Sequence, residues 1–154
     1  MSEVKSPSTV ALTRTYNHPR NKVFNAFSSA EALAQWLSPS DAIHMSVHKF
    51  NFIIEGGYEY GFEVPGEGEL RLTGQFLEIK PPDRLSFSWQ WQEPDPHAGI
   101  DSHVLVEFFD DPVGTRLSLT HTRLDGAGMT QRHRSGWEGS LHRLDVHLSS
   151  QFRR

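Results

Sequence analysis

Cysteine is absent from this chain of 154 residues. No disulfide framework, thiolate zinc site or cysteine nucleophile can therefore be built from it. No apolar run approaches the roughly 18 residues that cross a bilayer. Met1–Ser8 carries Lys5 and Pro7 but no apolar core of a signal peptide. A basic excess is missing too: 15 Lys and Arg stand against 19 Asp and Glu, a net charge of -4 with His neutral. A mildly acidic chain has no global attraction to a phosphate backbone or an anionic membrane. Arg153-Arg154 is too short a basic run to reverse that. The expectation is a soluble cytoplasmic protein that neither binds nucleic acid nor inserts into a membrane.

What the chain does have is aromatic bulk: ten Phe, four Trp and three Tyr. Such side chains are large apolar payloads that need burial. A chain of this mass has ~7,900 Å² of surface when folded against ~25,000 Å² unfolded, so it can bury a real core without staples.

Val10, Leu12 and Tyr16 share one side of a first strand. Pro19 then opens a helix, with Asn17 as a possible cap, and Pro39 ends a second; the spacing predicts helices over 19–28 and 30–37. From Ile43 the period changes to two. Gly56-Gly57 breaks one strand, and the next sets Tyr58, Tyr60, Phe62 and Val64 against Gly and Glu. Leu70, Leu72 and Phe76 continue in period two and Leu77 and Ile79 shift by one, which predicts a bulge near Phe76. Arg84–Trp91 is the clearest strand: Leu85, Phe87, Trp89 and Trp91 on one face, Arg84, Ser86, Ser88 and Gln90 on the other. Residues 93–101 read as a loop. Val104, Val106 and Phe108 mark another strand, and Leu117, Leu119 and His121 the last. From about Met129 to Ser150, His133, Trp137, Leu141, Leu144 and Leu148 recur at spacings of four, four, three and four, one face of a long helix.

Strands grouped apart from helices indicate an α+β fold. The expected architecture is a curved antiparallel sheet of six to seven strands around the C-terminal helix, with two short helices after strand one. One domain spans 9–150, between a flexible arm at 1–8 and a tail at 151–154.

That order, with Pro19–Phe27, Trp36, Gly56-Gly57, Gly74 before Pro81-Pro82-Asp83-Arg84-Leu85, Gly114–His121, and Gly136-Trp137 with Leu141 and Leu144, resembles the activator of heat-shock-protein-90 ATPase homologue family. The resemblance covers roughly residues 9–150. It places the chain in the START/SRPBCC (birch-pollen-allergen-like) superfamily and implies a helix-grip fold with a cavity between sheet and long helix. Many relatives carry an Asp-x-Arg-x-Gly-Gly pattern in the third strand region. Here Phe52 and Ile54 stand at its polar positions, so that pair's role is not carried over.

Nine His raise the question of metal. His44 and His48 lie ~13 Å apart in a strand, and His142 and His147 are five apart in a helix. No His-Glu-x-x-His pattern occurs, so no metal and no cofactor are expected. Glu59, Glu63, Glu67 and Glu69 read as a wet sheet face rather than a catalytic pair. His121 and His133 both fall on inward faces, where imidazoles either make structural hydrogen bonds or serve as acid and base.

The candidate ligand-binding set is Tyr58, Tyr60, Phe76, Phe87, Trp89, Trp91, Phe108, Leu119, His121, His133, Trp137 and Leu141. The expected partner is a small hydrophobic ligand, lipid-like or aromatic and polyketide-like, bound by a monomer or homodimer. Two other readings stand beside it. One is a cyclase- or hydrolase-type enzyme using the cavity histidines. The other is a chaperone-directed protein, ranked last because a first strand at residue 9 leaves no room here for the extra N-terminal domain of the eukaryotic activators.

Overall fold

A computed structural model describes residues 8–152. The expected arm, Ser8 apart, and the last two residues of the expected tail lie outside them. The elements are β1 (Val10–Tyr16), α1 (Arg20–Asn25), α2 (Ala30–Trp36), β2 (His44–Phe50), β3 (Gly57–Val64), β4 (Gly68–Lys80), β5 (Arg84–Trp91), β6 (Ser102–Asp110), β7 (Thr115–Thr122) and α3 (Met129–Phe152). The strands form one curved antiparallel sheet in the order β1-β7-β6-β5-β4-β3-β2. Sequential strands pair as hairpins, while β1 and β2 take opposite edges. The α1–α2 segment therefore carries the chain from one edge of the sheet to the other.

Binary patterning explains the layers. Along β5 every second residue is buried, with Leu85, Phe87, Trp89 and Trp91 inward. The register breaks between Phe76 and Glu78, where the alternation of apolar residues shifts. On α3, Leu141, Leu144 and Leu148 are each 0% exposed, which stabilises the helix-on-sheet contact by about 1.5–3 kcal/mol per side chain. Tyr16 adds a cross-layer tie, its hydroxyl donating to the Leu141 carbonyl at 2.8 Å.

The short helices end earlier than their sequence suggests. Pro19 sits at the N-cap itself, with no side-chain cap, so Asn17 does not play that role. Phe27 lies beyond the end of α1, packed edge to face on Trp36 at 4.8 Å. In α2, Ser29 caps the helix by accepting from the Ala32 N–H. At the other end of the chain α3 runs on to Phe152, past its expected end.

The outer sheet face carries charge, as expected of Glu59 and Glu69. Arg71 pairs with Glu59 and, at 2.8 Å, with Glu69, which also meets His48 at 2.8 Å. The Arg71 hydrogen bond, then that from His48, holds the Glu69 carboxyl below its ordinary range. Half-exposed pairs of this kind contribute little to stability. His48 lies at the register shift of β2, apart from His44.

Candidate functional site

Between α3 and the β3–β4–β5 end of the sheet lies a cleft of about 380 Å³. Three elements build it. The sheet contributes Phe62, Val64, Leu70, Trp89 and Trp91, the connection after α2 contributes Leu37, Pro39 and Ile43, and α3 contributes Arg132, His133, Gly136, Trp137 and Ser140. The walls are mainly apolar, aromatic and aliphatic side chains together, with Glu67, Arg132, His133, Ser135 and Ser140 as the polar groups.

Of the twelve residues expected to bind ligand, Trp89, Trp91, His133 and Trp137 line this cleft. Tyr60, Phe76 and Phe87 close a second void of only about 10 Å³. Tyr58, Phe108, Leu119 and Leu141 lie in packed core, and His121 is fully buried beside them. The reason is what fills the closed end of the sheet. Phe24 and Phe27 stand edge to face on Phe108, at 5.3 and 5.5 Å, so the short helices occupy the space beneath it. Tyr58 crosses Gly74 to donate to the Ser88 carbonyl at 2.5 Å, and a Cβ on Gly74 would lie 2.5 Å from that hydroxyl.

The two histidines are held by tryptophans. Trp91 Nε1–H donates to His133 Nε2 at 2.9 Å, and His133 Nδ1–H donates to the Met129 carbonyl at 2.8 Å. Trp137 Nε1–H donates to His121 Nδ1 at 3.0 Å. His121 Nε2 lies 2.9 Å from Ser102 Oγ, whose own proton goes to the Trp89 carbonyl. Both rings are thus neutral, each with a defined tautomer. Burial pushes His133 down to about 4 and His121 well below its ordinary value. Both nitrogens of each ring are spent inside the protein, so neither histidine presents one to a substrate. The arrangement suits rigid indole walls rather than proton transfer.

At the rim, Arg132 grips the loop between β5 and β6. Its Nη1 donates to Asp95 Oδ1 at 2.9 Å and to His97 Nδ1 at 2.7 Å, and its Nη2 to Asp95 Oδ2 at 2.7 Å. The guanidinium lies 4.9 Å from the Trp91 ring centre. Burial alone would raise the Asp95 carboxyl, but the Arg132 hydrogen bonds and the His97 N–H carry it below the usual value. Glu67, on the β3–β4 turn, is the other charged residue of the rim and is exposed.

Sequence reasoning missed the α2–β2 connection and the polar flank of α3. Phe62 and Val64 were legible by period two. Arg132, Gly136 and Ser140 were legible as a stripe beside the apolar face. Nothing local marks Leu37, Pro39 or Ile43. Among the described residues, no group of three or more His, Asp or Glu is placed to hold a metal ion. No helix of the described residues is long and apolar enough to cross a membrane.

The family model described as "Activator of Hsp90 ATPase homolog 1-like protein" matches residues 17–149. No curated protein matches the chain. Among solved structures, the AHSA1 protein of Silicibacter pomeroyi is 29% identical with a TM-score of 0.79, over 93% of this chain and 99% of that one. Protein CV1439 of Chromobacterium violaceum is 24% identical with a TM-score of 0.81, over 91% and 96%. An AHSA1-like protein of Aeromonas hydrophila is 19% identical with a TM-score of 0.75, over 93% of each chain. The last two likenesses speak for the fold alone.

Proposed function

The chain belongs to the Activator of Hsp90 ATPase homolog 1-like family, and from that premise we propose that it is a binding protein for a small, largely apolar molecule held between sheet and C-terminal helix. One observation carries this reading. A cleft of about 380 Å³ stands open at one end of an otherwise packed core, walled by Trp89, Trp91 and Trp137. Its volume falls in the ~300–1,000 Å³ range of small-molecule sites, which are likewise apolar with a few placed polar groups. The ligand class is aromatic, polyketide-like or lipid-like, because flat indole faces offer area rather than hydrogen bonds. Fold alone does not select among these, since one fold hosts many functions.

The test is a panel of neutral and acidic apolar compounds screened by melting temperature and tryptophan emission. A true ligand raises the melting temperature with concentration, by mass action, and shifts emission because three of the four tryptophans line the site. Trp137→Leu keeps an apolar wall and weakens binding. A broad panel with no shift in either signal would remove the proposal.

A further inference from the structure

Arg132, Gly136 and Ser140 lie four residues apart in succession on α3, and all three line the cleft. At the helical rise they form one stripe ~12 Å long. Each contributes something different to it.

Gly136 contributes space. Glycine is a poor residue for a helix interior, and packing does not require one here: a Cβ built on Gly136 meets nothing within 4 Å. The absent side chain leaves an open bed in the middle of the stripe, beside the Trp89 and Trp137 rings.

Ser140 contributes an unspent hydroxyl. The residue is 4% exposed and borders the cleft, yet its side chain has no hydrogen-bond partner among the described residues. The hydroxyl is not sealed off from the cleft, and helical serines commonly bond back to the preceding turn. This one does not.

Arg132 contributes a donor edge. A guanidinium has five N–H groups in a planar fork. Two on Nη1 and one on Nη2 are taken by Asp95 and His97. The Nε–H and the second Nη2–H remain, and together they make the side edge that grips a carboxylate bidentately. Asp95, His97 and the Trp91 face already hold the group in place, so binding to this edge orders little.

We infer that the cleft takes an elongated amphipathic carboxylate. Its carboxylate accepts from the Nε/Nη2 edge of Arg132, its flat apolar body lies over Gly136 against Trp89 and Trp137, and its far end carries a hydroxyl or carbonyl bonded to Ser140. The inference rests on the reading of the cleft as a small-molecule site. A cationic head is disfavoured at the Arg132 edge because that edge presents only N–H donors, the Asp95 carboxylate being already engaged by the guanidinium. Glu67 on the rim is exposed, and salt screens its repulsion.

Calorimetric titration with three matched probes tests it: a biphenyl carboxylate hydroxylated at the opposite para end, the same acid without the hydroxyl, and its methyl ester. For the wild-type protein the acid is expected to bind at least ~10-fold more tightly than the ester, as a charge-assisted bidentate pair requires. Arg132→Lys keeps the charge and loses the fork, and most of that ratio should go. Arg132→Met with Asp95→Asn removes both charges and should bring the ratio to about one. Ser140→Ala should erase the preference for the hydroxylated acid. Should an Arg132 variant fail to fold by circular dichroism, the wild-type acid-to-ester ratio and Ser140→Ala decide alone. Acid and ester binding alike, or an acid preference that survives in folded Arg132 variants, overturns the inference and leaves the cleft reading intact. Binding of neutral panel compounds with none of the acids does the same. No binding by any compound overturns both.

Discussion

His121 and His133 face each other edge to face, with ring centroids 5.3 Å apart and planes at 86°. Each accepts the indole N–H of a cleft tryptophan, His121 from Trp137 and His133 from Trp91. One ring hangs from β7 and the other from α3, so the pair joins the sheet to the helix that covers it. An imidazole can accept such a bond only when the ring is neutral. The walls of the cleft are therefore coupled to protonation.

The consequence is acid sensitivity. An unfolded histidine titrates near 6.5, and burial holds His133 in the fold to about 4. Between those values the unfolded chain binds a proton that the native state refuses, so stability falls as pH falls. The contribution is fully present above about 6.5 and is lost on the way to about 4, on the order of 3 kcal/mol for His133. His121, pushed lower by burial and then by the charge of His133, extends the loss to more acid pH. Urea midpoints measured across this window should drop steadily with acid. A flat profile would mean that the two rings are not held neutral.

Leu144 tests the helix–sheet contact. It is 0% exposed, and Leu144→Ala should cost about 2–5 kcal/mol as a large-to-small core change. A loss below ~1 kcal/mol in chemical denaturation would mean the site had collapsed around the smaller side chain.

Gly136 and Gly139, one turn apart on α3, should answer alanine in opposite ways. Gly136→Ala enters open space and should stabilise by up to ~1 kcal/mol through helix propensity. A Cβ on Gly139 would stand 2.1 Å from the Pro39 carbonyl oxygen, which is backbone and cannot swing away. Gly139→Ala should force α3 from the connection after α2, lowering the melting temperature and weakening any cleft ligand. Equal effects of the two substitutions would contradict this placement of α3.

Duplex DNA should not bind tightly at physiological salt. The net charge is -4, and Arg71, Arg132 and Arg143 are each paired with a carboxylate. Fluorescence anisotropy should show no submicromolar, salt-sensitive binding.

Much of this molecule was legible in one dimension because burial on one face imposes a period. Leu85, Phe87, Trp89 and Trp91 alternate with polar residues, and only a half-buried strand places them so. The recurrence of His133, Trp137, Leu141, Leu144 and Leu148 likewise required a helix with one apolar face. Even the bulge near Phe76 showed as a slip in the alternation. Periodicity says which face a residue takes, but not what stands opposite it. Phe108 and Trp89 both point inward, yet Phe108 meets Phe24 and Phe27 while Trp89 borders open space. That difference arises from where α1 and α2 come to rest after crossing the sheet. The hydrogen bonds of His121 and His133 had the same status, since a sequence shows an inward imidazole but not the indole that will satisfy it. The inward aromatic faces were determined by the sequence alone. Which of them are core and which are wall was decided by the packing of segments distant along the chain, because space left unfilled is a property of the whole fold and of no single segment.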